Sequence, residues 1–470
     1  MENKDYMVSI DLGSNNVAVV VGERTDDGKI AIVDSCIREV QGVTRGEIKN
    51  IERVAASISK AVQEVEERLG IKIGEAFTGI SGQGIKCAKN SYYVFVGKDG
   101  EIRDEDVRKL GESMRNVQAP EGEKIIQIIP QNYIVDDEEE VADPVGMFGK
   151  KLEATFNFII AENNAVNRLE KALAKIGVEQ THMFVNALAS AEAVVLPDEK
   201  ELGVAVLDIG GGTTDITIFH DNMVRHAGVI PIGSNSINKD IRAYGILERY
   251  VESLKIKYGS ALKEGASTDK LISVPGLTAR DPKEISFYNL AAIIEARMLD
   301  IIEYVQMEIR NSGYEGRLGA GFVITGGGAL LKDLDALIRN TTGQHVRIAT
   351  PVTEVTDESV EAASDPRLST AIGLLIKGME LGKRTRVKTV RGEESLQANT
   401  QTTENPNTIN AAYARKRAAE DEQFAEEQAG EDTPEANGET DKEKGHKPGF
   451  LKKMIGKFTD MFDVIDDSEI

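Results

Sequence analysis

Leu207-Asp208-Ile209-Gly210-Gly211-Gly212-Thr213-Thr214-Asp215-Ile216-Thr217-Ile218 reads as two apolar strands joined by a turn with an acid, three glycines and two hydroxyls. Such a pattern predicts a tight β-hairpin, because glycine tolerates sharp turns and β-branched residues suit strands. Ser9-Ile10-Asp11-Leu12-Gly13-Ser14-Asn15-Asn16-Val17-Ala18-Val19-Val20 repeats the phrase near the start of the chain. Each turn would show backbone N–H groups and small hydroxyls to an anion. The acid beside it can hold a hydrated divalent cation. One such hairpin is common turn chemistry. Two of them, with acids at 11 and 208, predict a duplicated α/β fold whose halves clamp the phosphates of a nucleotide.

On this reading Asp11 and Asp208 hold Mg2+ through water. Gly13, Ser14, Asn15, Gly210, Gly211, Gly212, Thr213 and Thr214 supply donors to the phosphates. Asp215 is placed to orient an attacking water; a carboxylate bonding its own turn is the equally simple alternative. A second run, Val323-Ile324-Thr325-Gly326-Gly327-Gly328-Ala329-Leu330-Leu331, ends a strand in three glycines. Without Cβ atoms, Gly326, Gly327 and Gly328 let a flat ring approach the backbone, with Leu331 closing the run. A helix cap or close packing would account for any one of these glycines. Glu252 and Lys255 share a helix face, and by spacing alone they read as a surface ion pair.

The chain has 470 residues and a net charge of −22, enough length for more than one core and the wrong charge for a general nucleic-acid binder. Cys36 and Cys87 lie in no metal-type cluster, which predicts buried thiols in a reducing compartment. The start enters a strand directly (Tyr6 to Leu12) with no basic, apolar leader, and no run of about 18 apolar residues predicts a membrane span. Periodicity predicts helices at Ile51–Leu69, Asn163–Lys175, Ser234–Ala243, Leu247–Tyr258, Glu284–Asn311, Leu330–Asn340 and Pro366–Gly378. A small α+β unit of its own rhythm fits between Ile85 and about Ala161. Between Glu393 and His446 there are 14 acids, 5 bases and few apolar residues, the composition of a disordered linker. Beyond it, Phe450, Leu451, Met454, Ile455, Phe458, Met461 and Phe462 recur at helical spacing, with Lys452, Lys453 and Lys457 opposite. An in-plane amphipathic helix on anionic lipid fits this stripe best; docking in a partner's groove is the alternative. A tether of roughly 60 residues would span about 40–46 Å r.m.s..

These residues together resemble the actin/Hsp70/sugar-kinase superfamily. Within it the chain is similar to the FtsA family of actin-like bacterial division proteins. The likeness includes Ile129-Pro130-Gln131-Asn132-Tyr133, Asp143-Pro144-Val145-Gly146-Met147, Arg225-His226 before Ile230-Pro231, and Ser369-Thr370-Ala371-Ile372-Gly373-Leu374. It implies an actin-like, ribonuclease H-like fold divided at 1–84, an inserted subdomain at 85–162, and a return at 163–200. The second half would take 201–245 and 311–365 with its small subdomain at 246–310. A closing helix at 366–385, a linker at 386–446 and a membrane helix at 447–463 would follow. It also implies an ATP-binding protein that forms filaments of itself, ties the FtsZ ring to the cytoplasmic side of the membrane at the septum, and helps recruit later division proteins. Hydrolysis would be slow or negligible. By the same likeness Glu252 and Lys255 become ribose or adenine contacts, and Arg297 with Asp300 becomes a contact for the FtsZ C-terminal tail. Asn15-Asn16 departs from the Ser-Lys common in the family, removing a lysine from the phosphates. A superfamily kinase and a pilus-assembly actin homologue are the rival readings.

Overall fold

The computed structural model describes residues 6–389 apart from 138–139, 142 and 277–281. The expected linker beyond 389 and the amphipathic helix at 447–463 lie outside the described residues.

Both hairpins form as their sequences predict. Tyr6–Leu12 pairs antiparallel with Asn16–Arg24, and Val204–Ile209 pairs antiparallel with Thr214–His220. Each hairpin then grows into a five-stranded sheet of the same topology. In the first, the order is Glu179–Val185, Glu75–Ile80, Tyr6–Leu12, Asn16–Arg24, Ile30–Glu39. In the second it is Val346–Ile348, Gly321–Thr325, Val204–Ile209, Thr214–His220, Met223–Ile230. In both, the hairpin and its third strand are antiparallel, while the two strands on the other side are parallel. The duplication inferred from two short phrases therefore extends through ten strands.

Local signals fix the flanking helices. Ile51–Leu69 starts where the Asn50 side chain accepts from the Arg53 N–H and stops where Gly70 turns left-handed, φ 62°. Val54, Ile58, Ala61, Val62 and Val65 form its buried stripe. Two helices, the alanine-rich Asn186–Val194 and Ser369–Glu380, pack between the half-sheets with Phe77, Val20, Val206 and Val323. They cross so closely that a Cβ on Gly373 would lie 1.8 Å from the Ala189 carbonyl oxygen.

The insert is a sheet of order Glu140–Val141, Glu123–Val135, Lys151–Glu162, Lys86–Phe95. Its helix, Asp104–Arg115, buries Leu110 and Met114 against Leu152, Ala154, Phe156 and Phe158. It is bolted to the second half through Met223–Ile230. Gln131 Nε2 donates to the Val224 carbonyl at 2.8 Å, Asn157 Nδ2 donates to the Arg225 carbonyl at 2.9 Å, and Arg225 donates back to Gln131 and Asn132. The Gln131-Asn132 and Arg225-His226 motifs are thus two sides of one joint.

Four expectations need correction. The long helix is Phe287–Ser312, because Lys283–Ser286 instead pairs with Leu271–Val274 and the Ser286 hydroxyl caps the helix by accepting from Asn289 N–H at 3.0 Å. The helix predicted at Leu330–Asn340 is a short 3-10 turn, Gly327–Leu330, and a helix, Leu334–Thr342, split by extended Leu331 and left-handed Asp333. The folded body runs past 386, since Val387–Thr389 pairs with Ile71–Ile73. Cys36 is buried, but Cys87 keeps partial exposure.

Candidate functional site: an acid cluster between two hairpin turns

Three of the predicted residues come together. Asp11 ends one strand, and Asp208 and Asp215 face each other across the second hairpin. In the first hairpin the partner of Asp11 is Ala18, so Asp215 has no acidic twin. Like charges directly opposite on a ladder repel. Burial, followed by Asp208, lifts the Asp11 carboxyl to about 7 against a hydrogen bond from Asn186. Burial raises Asp208 as well, opposed by Thr370 and Ser190. Asp215 is pushed well above the usual carboxylate range by burial, then by Asp208 and Asp11, although the Ser81 hydroxyl donates to it at 2.6 Å. A cation brought near this cluster would replace protons that the carboxyls otherwise keep.

The two central helices point their first turns at these acids. Asn186 Nδ2 donates to Asp11 at 3.1 Å, and Thr370 Oγ1 donates to Asp208 at 2.9 Å. The remaining polar atom of Asn186, Oδ1, is buried without a hydrogen-bond partner. A buried acceptor beside a carboxylate suits a water held by a cation. Among the described residues no group of three or more His, Cys, Asp or Glu is arranged to grip a metal directly. The donor set fits a hydrated ion held through water, the mode expected for Asp11 and Asp208.

The turn residues divide by what they touch. Gly13 N–H closes its own turn on the Asn16 carbonyl at 2.9 Å, and Gly210 N–H does the same on Thr213. Ser14 Oγ accepts from Gly46 N–H at 2.9 Å, and Thr214, fully buried, donates to the Ile232 carbonyl at 2.9 Å. The Thr214 hydroxyl is therefore occupied inside the protein. Gly211 and Gly212 seat the opposite turn: a Cβ on Gly211 would lie 2.6 Å from the Asn15 side chain, and one on Gly212 would lie 2.3 Å from Ser14 Oγ.

The triple glycine at 326–328 has a mixed explanation. A Cβ on Gly326 (φ +82°) would lie 2.2 Å from Asp208 Oδ1, and one on Gly328 would lie 2.4 Å from Ile209. Close packing accounts for both. Only Gly327 is exposed and meets ordinary contacts. Leu331 packs against the core of the second half.

Glu252 and Lys255 do form the ion pair, at 2.9 Å, on helix Glu248–Tyr258. Lys255 is buried and reaches toward the Ser234 carbonyl beside the glycine turn. Glu252 also accepts from Asn238 Nδ2, whose Oδ1 is buried without a partner. Asn186 and Asn238 were missed in the sequence, where a single asparagine opening a helix, or lying within one, carries no signal. Arg297 is held by Asp240 at 2.7 and 3.1 Å and by Asp300 at 3.0 Å; these acids keep its guanidinium charged.

Two half-sheets of one topology, each lending an acid-bearing hairpin to a shared cleft, define an actin-like fold with an inserted α+β subdomain. One chain of a PilM–PilN type IV pilus biogenesis complex matches it with a TM-score of 0.55, covering 79% of this chain and 98% of that one at 15% identity, a likeness of fold alone. The family model "Cell division protein FtsA" matches residues 205–373, and that of the SHS2 domain inserted in FtsA matches residues 82–160. Cell division protein FtsA of Pseudomonas aeruginosa is 35% identical over 383 residues, 81% of this chain and 91% of that protein. That of Bacillus subtilis is 32% identical over 378 residues, 80% and 84% of the two chains. The chain belongs to the FtsA family of actin-like cell-division proteins.

Proposed function

We propose that this chain is an ATP-binding adaptor that polymerises on the cytoplasmic face of the membrane at the septum, anchors the FtsZ ring and helps recruit later division proteins. The observation that carries the nucleotide part is the meeting of Asp11, Asp208 and Asp215 between the turns, with Asn186 Oδ1 free beside them. Asp11 and Asp208 would hold Mg2+ through its water. When bound, that ion supplies the charge that neutralises the phosphates. Gly13, Ser14, Asn15, Gly210 and Thr213 line the turns that face the phosphates, with Gly211 and Gly212 as their packed seat. Glu252 and Lys255 flank the sugar end, and Gly327 is the glycine with room beside it. Asp215 orients water at most slowly, and the nucleotide mainly holds the halves closed.

Membrane attachment falls to the stripe of Phe450, Leu451, Met454, Ile455, Phe458, Met461 and Phe462 with Lys452, Lys453 and Lys457. One short amphipathic helix binds reversibly, but copies linked in a filament gain roughly 10²–10⁴-fold in avidity. The FtsZ tail is assigned to the long helix Phe287–Ser312 at Arg297 and Asp300. Asp240, on helix Asn235–Ala243 next to the cleft, fixes the Arg297 guanidinium and so ties that face to the glycine turn. Co-sedimentation with anionic liposomes, with and without residues 447–470 and with FtsZ added, tests the adaptor. ATP-dependent membrane capture of FtsZ by the full chain alone supports it; equal capture by the shortened chain overturns it.

A further inference from the structure

Asn15 and Asn235 lie 220 positions apart and meet across the cleft. Asn15 Nδ2 donates to Asn235 Oδ1 at 2.9 Å, and Asn235 Nδ2 donates to Asn15 Oδ1 at 2.6 Å. Two amides in this arrangement satisfy each other completely along one edge. The pairing stands whichever way both amides are turned, because each offers one donor and one acceptor. It is also neutral, so it brings no charge of its own into the cleft.

Each partner is fixed to a different hairpin turn. The Asn15 carbonyl accepts from Val40 N–H at 2.8 Å, within the first half. The loop carrying Asn235 lies flush on the second turn: Ser234 N–H donates to the Gly210 carbonyl at 3.0 Å and Asn235 N–H to the Gly211 carbonyl at 2.7 Å. A Cβ on Gly233 would lie 2.6 Å from the Gly210 oxygen, so only a glycine there lets the loop seat this closely. Gly211 leaves the space through which the Asn15 amide passes. Separating the halves therefore breaks both amide–amide hydrogen bonds together.

We propose that Asn15 and Asn235 form a clasp across the cleft that governs how fast the nucleotide leaves, an inference that rests on the nucleotide reading above. Asn15 then acts less as a phosphate ligand than as a positioning residue. In this chain a neutral bridge to the opposite half stands next to the position where the family pattern has lysine.

The test uses the full chain, the fluorescent analogue mant-ATP with Mg2+, and the variants Asn15→Ala, Asn235→Ala and their combination. Two net hydrogen bonds correspond to roughly ten- to a hundredfold in rate. Release chased by excess ATP is expected to quicken by that factor in each single variant, with association little changed. The double variant should be no faster than the faster single one. Hydrogen exchange of the nucleotide-free chain is read in parallel: Asn15→Ala should raise exchange at 233–238, and Asn235→Ala at 13–16. Unchanged release in both single variants, additive effects in the double variant, or exchange confined to the substituted turn overturns the clasp. Should the unsubstituted chain bind no mant-ATP, the nucleotide reading falls and the release claim with it, while cross-turn exchange still decides whether the halves are clasped.

Discussion

Gly326 and Gly327 are neighbours in one run, yet the structure assigns them opposite tolerance. Alanine at 326 must adopt φ near +82° and place its Cβ 2.2 Å from Asp208 Oδ1. With ψ at 174° this extended, positive-φ backbone is one that essentially only glycine adopts, and it costs an L-residue about 1–3 kcal/mol. Pushing the Asp208 carboxyl aside, against its bond from Thr370, adds overpacking of about 1–3 kcal/mol. Gly326→Ala should therefore destabilise by roughly 2–4 kcal/mol, given partial relaxation. Alanine at 327 meets only Arg367 carbons at 3.5 and 3.9 Å and needs no unusual φ, so its effect should fall within about 1 kcal/mol of zero. Urea denaturation of both variants, with a shared slope, reads the difference directly. If the two cost the same, or Gly326→Ala costs less than about 1 kcal/mol, the packing account of this run is wrong. If Gly327→Ala weakens nucleotide binding without loss of stability, the base contact is placed at 327.

The raised Asp11, about 7, means the free cleft keeps only a share of that proton at neutral pH and loses it as pH rises. Mg·ATP affinity should rise between pH 6 and 8, with proton release detected by calorimetry in buffers of different ionisation heat; flat affinity would count against the acid cluster. His226 is lowered by burial, but hydrogen bonds to Cys87 and Glu308 outweigh that and hold it at about 9, above its ordinary 6.5. The folded chain binds this proton more tightly, so its stabilisation is complete below pH 6.5 and lost as pH rises through about 9. Melting temperatures at pH 6, 8 and 10 should show that fall, and Glu308→Gln should flatten it. Gln131→Ala leaves the Val224 carbonyl unpaired at the joint of the insert and should cost about 1–3 kcal/mol in urea; no change would mean the joint carries no stability.

Much of this fold could be read from local chemistry. The hairpin phrase needs only apolar alternation and a glycine turn, so both copies stood out. Ile51–Leu69 was legible to the residue because Asn50 and Gly70 mark its ends. The strand Lys283–Ser286 was not, since four residues abutting a helical stripe share its periodicity and only the pairing with Leu271–Val274 separates them. At the site, the acids were legible as motif members. Their company was not: Asn186, Thr370 and Ser81 reach them from three separate segments. Glycine requirements were hidden for the same reason, because Gly211 and Gly326 are explained by side chains far away in sequence.

Isothermal titration of the full chain with ATP, with and without Mg2+, and repeated on Asp11→Asn and Asp208→Asn, reaches the heart of this account. A single Mg2+-dependent site per chain, weakened at least tenfold by either substitution, is the predicted outcome, tenfold being about 1.4 kcal/mol. Binding indifferent to both substitutions, or no binding at all, would contradict it.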